Sequence, residues 1–418
     1  MNKIVLDHIS VNKNTVRYDF HTNEKLKVYF KTNNLFVQYE EDMTSVPLSI
    51  LTIPFVNVMA GLSWLSDAML FVDEIDKTFY DAFQRIKMAY NELHHVLFKG
   101  MLVPSQFVTN RFYVPQDKSI LLFGGGVDGH TSFLRNRDKV SKIVNIYGWL
   151  KDIDEKNDVD ISDANNTKEY AIRMGDVDAV HVRSNFASMF NLSTIDSTLC
   201  NSIIKTSYWY GLLHPMAFLS IAAPLAWIYQ MPTLMIASSF TKDRANVHCA
   251  SYITTDSEFR FAGEGHTLHE GFELNRQDKV KYLVDYQRST GLPYYFQACS
   301  FNDHNCCVCE KCFRTIVELV AENADPRDFG FNHIQGRLKD HWEKVVSRDV
   351  ALWGVAKESY YYYYSALRMR ENYEKLDDEQ KEFAEWFLSF DFKKAKQEGL
   401  KTYYRKNIFK ILKRKLHL

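Results

Sequence analysis

Proline, glycine and cysteine are scarce in this chain of 418 residues, which contains 9, 17 and 7 of them. With 46% hydrophobic and 25% charged residues, the composition excludes a collagenous, low-complexity or wholly disordered chain. Seven cysteines are too few for a secreted disulfide scaffold. The chain is therefore expected to be an ordinary globular protein.

Excess charge and long apolar runs are also missing. The formal net charge is −1, and this balance argues against a general nucleic-acid coat, so we expect no strong nucleic-acid binding. No run of 18 apolar residues is present, which argues against a membrane span. The N-terminus lacks the apolar segment of a signal peptide. We predict a cytoplasmic protein.

The length predicts two or three domains. Residues 1–117 are predicted to form an N-terminal α+β domain that is rich in strands. In it, residues 26–30 and 35–39 would pair as a hairpin around Thr32-Asn33-Asn34, and a helix would follow from about residue 76 to 97. Residues 331–418 are predicted to be a helical region with a basic tail.

The middle region, residues 118–330, changes to a pattern of strand, loop and helix. Four short apolar runs alternate there with helical stretches, at residues 120–123, 142–147, 179–182 and 233–237. Alternation of this kind predicts an α/β fold with a doubly wound parallel sheet, whose ligand binds at the carboxyl ends of the strands. The polar segment 154–167 is predicted to be a surface loop.

A glycine-rich loop follows the first of these runs and contains Gly124, Gly125, Gly126, Val127, Asp128 and Gly129. One hypothesis is the G-x-G-x-x-G dinucleotide fingerprint, for which Asp152 would be the late acidic residue. A second is G-x-x-x-x-G-K-[ST], but His130 occupies the lysine position and cannot replace that charge. The third is the pyrophosphate loop S-G-G-x-D-S of ATP pyrophosphatases, with glycines in place of both serines. The loop alone leaves the ATP and dinucleotide hypotheses open.

Five of the seven cysteines fall between Cys299 and Cys312. Cys299, Cys306, Cys309 and Cys312 have the spacing C-x6-C-x2-C-x2-C. Four thiolates in so short a segment are typical of a closed tetrahedral zinc site, which stabilises local folding. A [4Fe–4S] cluster is the rival hypothesis, because C-x2-C-x2-C with a remote cysteine also suits it.

The loop and the cysteine segment together resemble the PP-loop proteins, which are adenine nucleotide alpha hydrolase-like ATP pyrophosphatases. The resemblance covers residues 118–330 and is greatest to 7-cyano-7-deazaguanine synthase-like proteins, especially the longer relatives of polysaccharide and anti-phage defence loci. It implies that the loop cradles ATP, that Asp128 holds Mg²⁺, and that the four cysteines hold Zn²⁺. Thr131 and Ser132 are candidates to replace the missing serine hydroxyls.

Further residues are candidates for the same site. Asn275 and Asp278 predict a helix start that places Arg276 and Lys279 one turn apart, where two cations would bind ATP phosphates or leaving pyrophosphate. Ser238 and Ser239 end a predicted strand and are candidates for nucleotide or substrate contacts, or for a helix cap. The same alternatives apply to Ser184 and Asn185.

The predicted function is an ATP-dependent C–N ligase-like enzyme that adenylates a carboxylate or amide oxygen and releases pyrophosphate. Two alternatives stay open: a catalytically degenerate PP-loop protein that binds a nucleotide or a partner, and a dinucleotide-dependent oxidoreductase. The expected partners are a small-molecule or peptide carboxylate, a protein bound through the N-terminal domain, and a second copy of the chain.

The last 18 residues carry seven Lys or Arg and no acid. Their apolar residues are spaced as one face of a basic amphipathic helix. This basic tail, residues 401–418, either packs on its own domain or contacts a membrane surface, a nucleic acid or an acidic protein.

Overall fold

The computed structural model describes residues 1–148, 162–242, 248–299, 302, 304–348, 352, 354, 355 and 361–415. Side chains are described for these residues apart from 162–164 and 409–415. The described strands are β1 (Asn2–Asn12), β2 (Thr15–Thr22), β3 (Asn34–Gln38), β4 (Ala68–Asp76), β5 (Met101–Val108), β6 (Ser119–Leu122), β7 (Val140–Tyr147), β8 (Asp178–Ser184), β9 (Thr233–Ala237), β10 (Arg260–Phe261) and β11 (Gly265–Glu270).

The described α-helices are α1 (Glu24–Lys27), α2 (Leu48–Leu65), α3 (Lys77–His94), α4 (Val127–Arg135), α5 (Ser162–Met174), α6 (Leu192–Ile195), α7 (Asn201–Ile203), α8 (His214–Tyr229), α9 (Ile253–Asp256), α10 (Arg276–Thr290), α11 (Glu310–Ala321), α12 (Leu338–Val346), α13 (Tyr362–Asn372), α14 (Asp378–Leu388) and α15 (Phe392–Lys415). Short π-helical turns cover Asp196–Cys200 and Trp209–Leu213, and 3₁₀ turns cover Pro326–Phe329 and Tyr373–Lys375.

One mixed sheet contains all eleven described strands, in the order β10-β11-β9-β6-β7-β8-β3-β2-β1-β4-β5. Six of its ten neighbouring pairs are parallel. The predicted α/β class is therefore confirmed, with four antiparallel pairs that the sequence pattern did not indicate.

Strand β6 lies between β7 and β9 and is parallel to both. The chain runs from β6 to β7 and β8 on one side and returns to β9 on the other side. The carboxyl ends of β6 and β9 are therefore a topological switch point, where open α/β sheets bind ligands. The glycine-rich loop follows β6, and Ser238 follows β9.

The N-terminal strands belong to this same sheet. Strand β3 pairs antiparallel with β2 on one side and with β8 on the other. In the pairing with β8, Val37 lies opposite Ser184 and Gln38 lies opposite Arg183. The predicted boundary between residues 117 and 118 falls between β5 and β6, two strands of one sheet.

The predicted hairpin of residues 26–30 with 35–39 is wrong. Residues Glu24–Lys27 form helix α1, and β3 pairs with β2 instead. Leu26 is buried but Val28, two positions later, is 54% exposed, so burial does not alternate along this run as it does in a half-buried strand. The predicted helix near residues 76–97 is confirmed as α3, which Asp76 caps by accepting a hydrogen bond from the Phe79 amide.

The predicted loop 154–167 lies outside the described residues up to position 161, and its last residues, from 162 onward, are helical and begin α5. The basic tail is helical as far as Lys415, as part of α15, so its predicted helix is confirmed over that range.

Among the residues that the structure describes, two helices are long and apolar enough to cross a membrane by length and composition: Leu48–Leu65 and the segment Trp209–Tyr229. However, 94% of the most apolar 18-residue stretch of the first helix and 83% of that of the second lie buried inside the protein. They are core helices, packed with strand residues such as Ile4, Leu70 and Leu234 in one hydrophobic core.

The chain divides into two compact units. The first contains Met1–Gly124 and Ser132–Glu273, and it includes the whole sheet and its core. The second contains Gly125–Thr131 and Leu274–Leu418 and is mainly helical. The predicted domain limits at residues 117 and 330 stay predictions.

Candidate functional site

The glycine-rich loop has an open backbone. Gly125 has a φ of +70°, in the left-handed region that favours glycine. A Cβ built at Gly124 or Gly125 meets no atom of the described residues within 4 Å, and one at Gly126 meets only the Gln297 carbonyl oxygen, at 3.8 Å. The Gln297 amide donates to the Gly125 carbonyl at 3.0 Å, which holds the second half of the loop. A ligand can therefore approach this backbone closely.

Helix α4 begins directly after the loop, at Val127. Its first turn carries Asp128, and the His130 amide donates to the Gly126 carbonyl at 3.1 Å. The first backbone N–H groups of any α-helix lack partners within the helix, and the helix dipole adds partial positive charge there. The loop and α4 together have the properties of an anion-binding helix start.

The predicted start of helix α10 is confirmed. Asn275 is its N-cap and accepts from the Asp278 amide at 3.0 Å, while the Asp278 carboxylate accepts from the Asn275 amide at 3.2 Å. This capping box fixes the first turn. Arg276 and Lys279 therefore lie one turn apart, as their spacing predicts.

Both cations of that turn contact Asp128. Lys279 Nζ lies 2.8 Å from Asp128 Oδ1, and Arg276 Nη1 lies 3.7 Å from Asp128 Oδ2. Burial by itself raises the pKa of Asp128, but the charges of Lys279 and Arg276 outweigh it and hold that pKa below its ordinary value. Asp128 is thus an anion that holds two cations at the loop.

Glu318 is the second carboxylate of this group. Its oxygens lie 2.9 and 3.1 Å from Arg276 Nε, and its side chain is 1% exposed. Burial raises the pKa of Glu318 to about 7, although Arg276 and Arg314 act in the opposite direction. Arg276 also donates to Thr315 Oγ1 at 3.1 Å. Helix α11 therefore positions the Arg276 guanidinium on one side while Asp128 attracts it on the other.

Sequence reasoning missed Glu318 and its neighbour Arg314. Glu310, Arg314 and Glu318 form a ladder of alternating charge at spacing i, i+4 on α11, whose residues from Cys312 to Ala321 are all buried. Arg314 Nη2 lies 3.8 Å from Glu310 Oε2, and its guanidinium carbon lies 3.9 Å from the centre of the Tyr361 ring. Charges repeated on the buried face of a helix were the available signal, because such charges need partners.

The remaining candidates of the loop make contacts within the protein. Thr131 Oγ1 donates to the Lys279 carbonyl at 3.3 Å. Ser132 is buried and donates to the Glu270 carboxylate, which also pairs with Arg135 at 3.2 Å. Gly129 lies inside α4, and the Val127 side chain is 2% exposed. The two hydroxyls expected to replace the missing serines are therefore already engaged in these contacts.

Ser238 and Ser239 follow β9 at the switch point. Ser238 is buried, its hydroxyl donates to the Phe240 carbonyl at 2.5 Å, and its amide donates to the Glu270 carbonyl at 2.8 Å. Ser239 is exposed. The first serine closes a local turn, and the second has its surface open to solvent.

The four cysteines form a compact group. Their Sγ atoms all lie within 4.8 Å of one another, with Cys306 and Cys312 at 3.9 Å and Cys309 and Cys299 at 4.0 Å. Hydrogen bonds from Cys309 and Cys312 hold the pKa of Cys306 well below that of an ordinary thiol. This group can hold a metal ion.

Asn305 and Cys307 shape the loop around these sulfurs. The Asn305 carboxamide accepts from the Ala298 and Cys299 amides at 2.8 and 3.2 Å and donates to the Phe296 carbonyl at 2.8 Å. Cys307 is buried with a φ of +54°, and its thiol donates to the Asn305 carbonyl at 3.4 Å. Burial raises the pKa of Cys307 to about 11, so this fifth cysteine stays a thiol.

Comparison with known proteins does not assign the chain to a family. No protein-family model matches the chain, and no curated protein matches it. The function is therefore argued from the motifs and the geometry.

Proposed function

We propose that this chain is an ATP-dependent enzyme of the PP-loop type, which adenylates a carboxylate or amide oxygen and releases pyrophosphate. The observation that carries the proposal is the convergence of Lys279 and Arg276 on Asp128, at the first helical turn after a glycine-rich loop. Open backbone, a helix start and two ordered cations are the groups that bind polyphosphates in proteins.

Each group has a distinct role in this proposal. The backbone of Gly124, Gly125 and Gly126 lies against the phosphates, since no side chain intervenes. Lys279 and Arg276 neutralise the β- and γ-phosphates and the leaving pyrophosphate. Asp128 and Glu318 keep these two cations in place, so that little reorganisation is needed when charge develops.

The chemistry follows from in-line positioning. The substrate oxygen attacks the α-phosphorus, an oxygen–phosphorus bond forms, and the bond from the α-phosphorus to the bridging oxygen breaks, which releases pyrophosphate. Ammonia or another amine then attacks the activated carbon, and AMP leaves with the oxygen. The resemblance to the deazaguanine synthase-like proteins supports this second step.

A Mg²⁺ ion held by Asp128, which the resemblance implies, does not fit these surroundings. Oδ1 of Asp128 already accepts from Lys279, and Oδ2 faces Arg276. A divalent cation bound there would be repelled by two positive charges within a few ångströms. We therefore assign Asp128 to holding the cations and derive no step through a protein-bound magnesium.

Zinc suits the cysteine group better than an iron–sulfur cluster does. A Zn–S distance of about 2.3 Å in a tetrahedron implies sulfur separations of about 3.8 Å, close to the 3.9 and 4.0 Å found here. A cluster of four irons needs more room between its thiolates than these separations leave. Cys299, Cys306, Cys309 and Cys312 would hold one Zn²⁺, whose role is to fold the segment that precedes α11.

A catalytically degenerate PP-loop protein is the second candidate function. Glycines replace both serines of the motif, and the hydroxyls of Thr131 and Ser132 are engaged by the Lys279 carbonyl and by Glu270. A protein with this loop can retain phosphate binding through its backbone and cations while lacking part of the hydroxyl contacts. For the dinucleotide alternative, the required acidic residue, Asp152, lies outside the described residues.

Titration calorimetry with ATP, pyrophosphate and NAD tests the proposal. We expect ATP and pyrophosphate to bind and NAD not to bind. Lys279→Met should weaken ATP binding at least tenfold, because it removes a charge-assisted contact to phosphate. Lys281→Met is the matched control, since Lys281 lies on the same helix and pairs with the exposed Asp285.

Binding of ATP at equal affinity by the wild type and the Lys279→Met variant would contradict the assignment of the site. NAD binding without ATP binding would favour the oxidoreductase. ATP binding without pyrophosphate release, when carboxylate and amine substrates are screened, would favour the degenerate protein.

A further inference from the structure

Helix α15 has an unusual concentration of positive charge. It spans Phe392–Lys415 and contains ten Lys or Arg residues and a single acid, Glu398. The chain as a whole has a formal net charge of −1. The helix is thus a region of concentrated positive charge, and the rest of the chain has a net negative charge.

One side of α15 packs on the protein. Ala395 is 4% exposed, and Gly399, one turn later, is also buried. Thr402 continues this side and is half-buried. Small residues at this spacing allow the helix backbone to lie close to the surface against which this side packs.

The opposite side carries exposed apolar residues. Tyr404 is 56% exposed and Ile408 is 48% exposed. Each lies nine residues, or two and a half helical turns, after Ala395 and Gly399 respectively, and therefore on the opposite side of the helix. The alternative that the apolar face of the tail packs on its own domain does not hold for these two residues.

Exposed cations border this apolar face. Lys401 precedes Tyr404 by three positions, and Arg405 precedes Ile408 by three positions, so both lie beside the face at helical spacing. Both side chains are exposed. Apolar residues flanked by Lys and Arg on a helix are the arrangement that binds the interface of an anionic bilayer.

We propose that α15 docks this protein on an anionic membrane surface, with Tyr404 and Ile408 in the headgroup layer and Lys401 and Arg405 against lipid phosphates. A nucleic acid would satisfy the cations equally well, but its backbone offers no apolar layer for the exposed isoleucine. The charge complementarity and the outward apolar face together favour lipid.

Vesicle co-sedimentation of the full chain tests this inference. We expect binding to vesicles of phosphatidylcholine with 30% phosphatidylserine at low salt, weaker binding at high salt because salt screens the attraction, and no binding to pure phosphatidylcholine. Lys401→Gln with Arg405→Gln should weaken the binding about 25-fold, since each basic residue near the surface contributes about fivefold. Tyr404→Ser with Ile408→Ser should weaken it without changing the salt dependence.

Lys3→Gln with Lys25→Gln is the control, because both side chains are exposed, lie outside α15 and give the same change in charge. We expect it to bind like the wild type. An equal loss in this control, no binding to anionic vesicles at low salt, or tighter binding to a DNA or RNA oligonucleotide than to vesicles would each overturn the proposal. Because the variants lie outside the glycine-rich loop, the outcome is independent of ATP binding.

Discussion

Lys279 and Asp128 are 151 positions apart in the chain, yet their side chains meet at 2.8 Å. A second contact runs beside the first, from the Thr131 hydroxyl to the Lys279 carbonyl. The N-terminal parts of α4 and α10 are therefore linked at two points, by one ion pair and one hydrogen bond. Any anion that binds at the loop meets a lysine whose position is already fixed.

Glu318 should make stability depend on pH. Its pKa is about 7 in the folded protein, against 4.5 for an ordinary glutamate. Between these values the folded state holds a proton that the unfolded state has lost, so stability falls as the pH rises through this window. Relative to Glu318→Gln, the wild type should lose up to about 3 kcal/mol from pH 4.5 to 7. Thermal unfolding of both proteins across this range checks it, and parallel profiles would contradict it.

Under the proposed function, Gly124→Ser should strengthen ATP binding, because it restores one serine hydroxyl of the S-G-G-x-D-S motif. The position has room for a side chain, and its φ is not in the left-handed region. Gly125→Ser is the contrasting variant, since its φ of +70° should cost about 1–2 kcal/mol of stability. Calorimetry with ATP and thermal unfolding of both variants measure these effects. A weaker affinity in Gly124→Ser would show that its hydroxyl has no partner on ATP.

Elemental analysis should find one zinc ion per chain. Cys309→Ser should lose the metal and destabilise the protein by an amount on the order of 5 kcal/mol, because metal binding is coupled to folding. Cys307→Ser should retain the zinc, since Cys307 lies outside the group of four ligands. Iron in a brown protein would show that the group holds an iron–sulfur cluster instead.

Asp256 should be important for stability, because two buried groups depend on it. Its Oδ2 accepts from the Ser251 hydroxyl at 2.6 Å and from His269 Nδ1 at 2.9 Å. Asp256→Ala leaves the imidazole without this partner and should cost about 3–5 kcal/mol. Ser251→Ala should cost less, about 1–3 kcal/mol. Chemical denaturation measures both, and equal costs would mean that the Asp256–His269 contact contributes little.

The parts of the fold that follow from local patterns could be predicted from the sequence. The four apolar runs correspond to β6, β7, β8 and β9, because buried parallel strands read as continuous apolar segments. The capping residues Asn275 and Asp278 indicated the start of α10. The partner of β3 could not be predicted, since strand pairing depends on contacts between residues far apart in the chain.

The candidate site shows the same division. Helical geometry places Arg276 and Lys279 one turn apart, as their spacing in the sequence predicts. The spacing of the four cysteines likewise predicted that their sulfurs lie close together. Glu318 lies 42 positions from Arg276, and no local pattern specifies that distance. The hydrogen bond from Ser132 to Glu270 could not be predicted either, because 138 positions separate the two residues.

The junction of β3 with β8 limits where this protein can be divided. The Ser184 hydroxyl donates to the Phe36 carbonyl, and the Asn185 carboxamide bonds the main chain at Phe36 and Asn34. These two residues were candidates for ligand contacts or for a helix cap, and the structure shows their side chains hydrogen-bonded to the neighbouring strand. A fragment that begins at residue 118 would leave β8 as a bare edge with unpaired backbone groups, which invites aggregation. Expression of the chain from residue 118 onward is therefore a poor route to its biochemistry, whereas the intact chain keeps that edge covered.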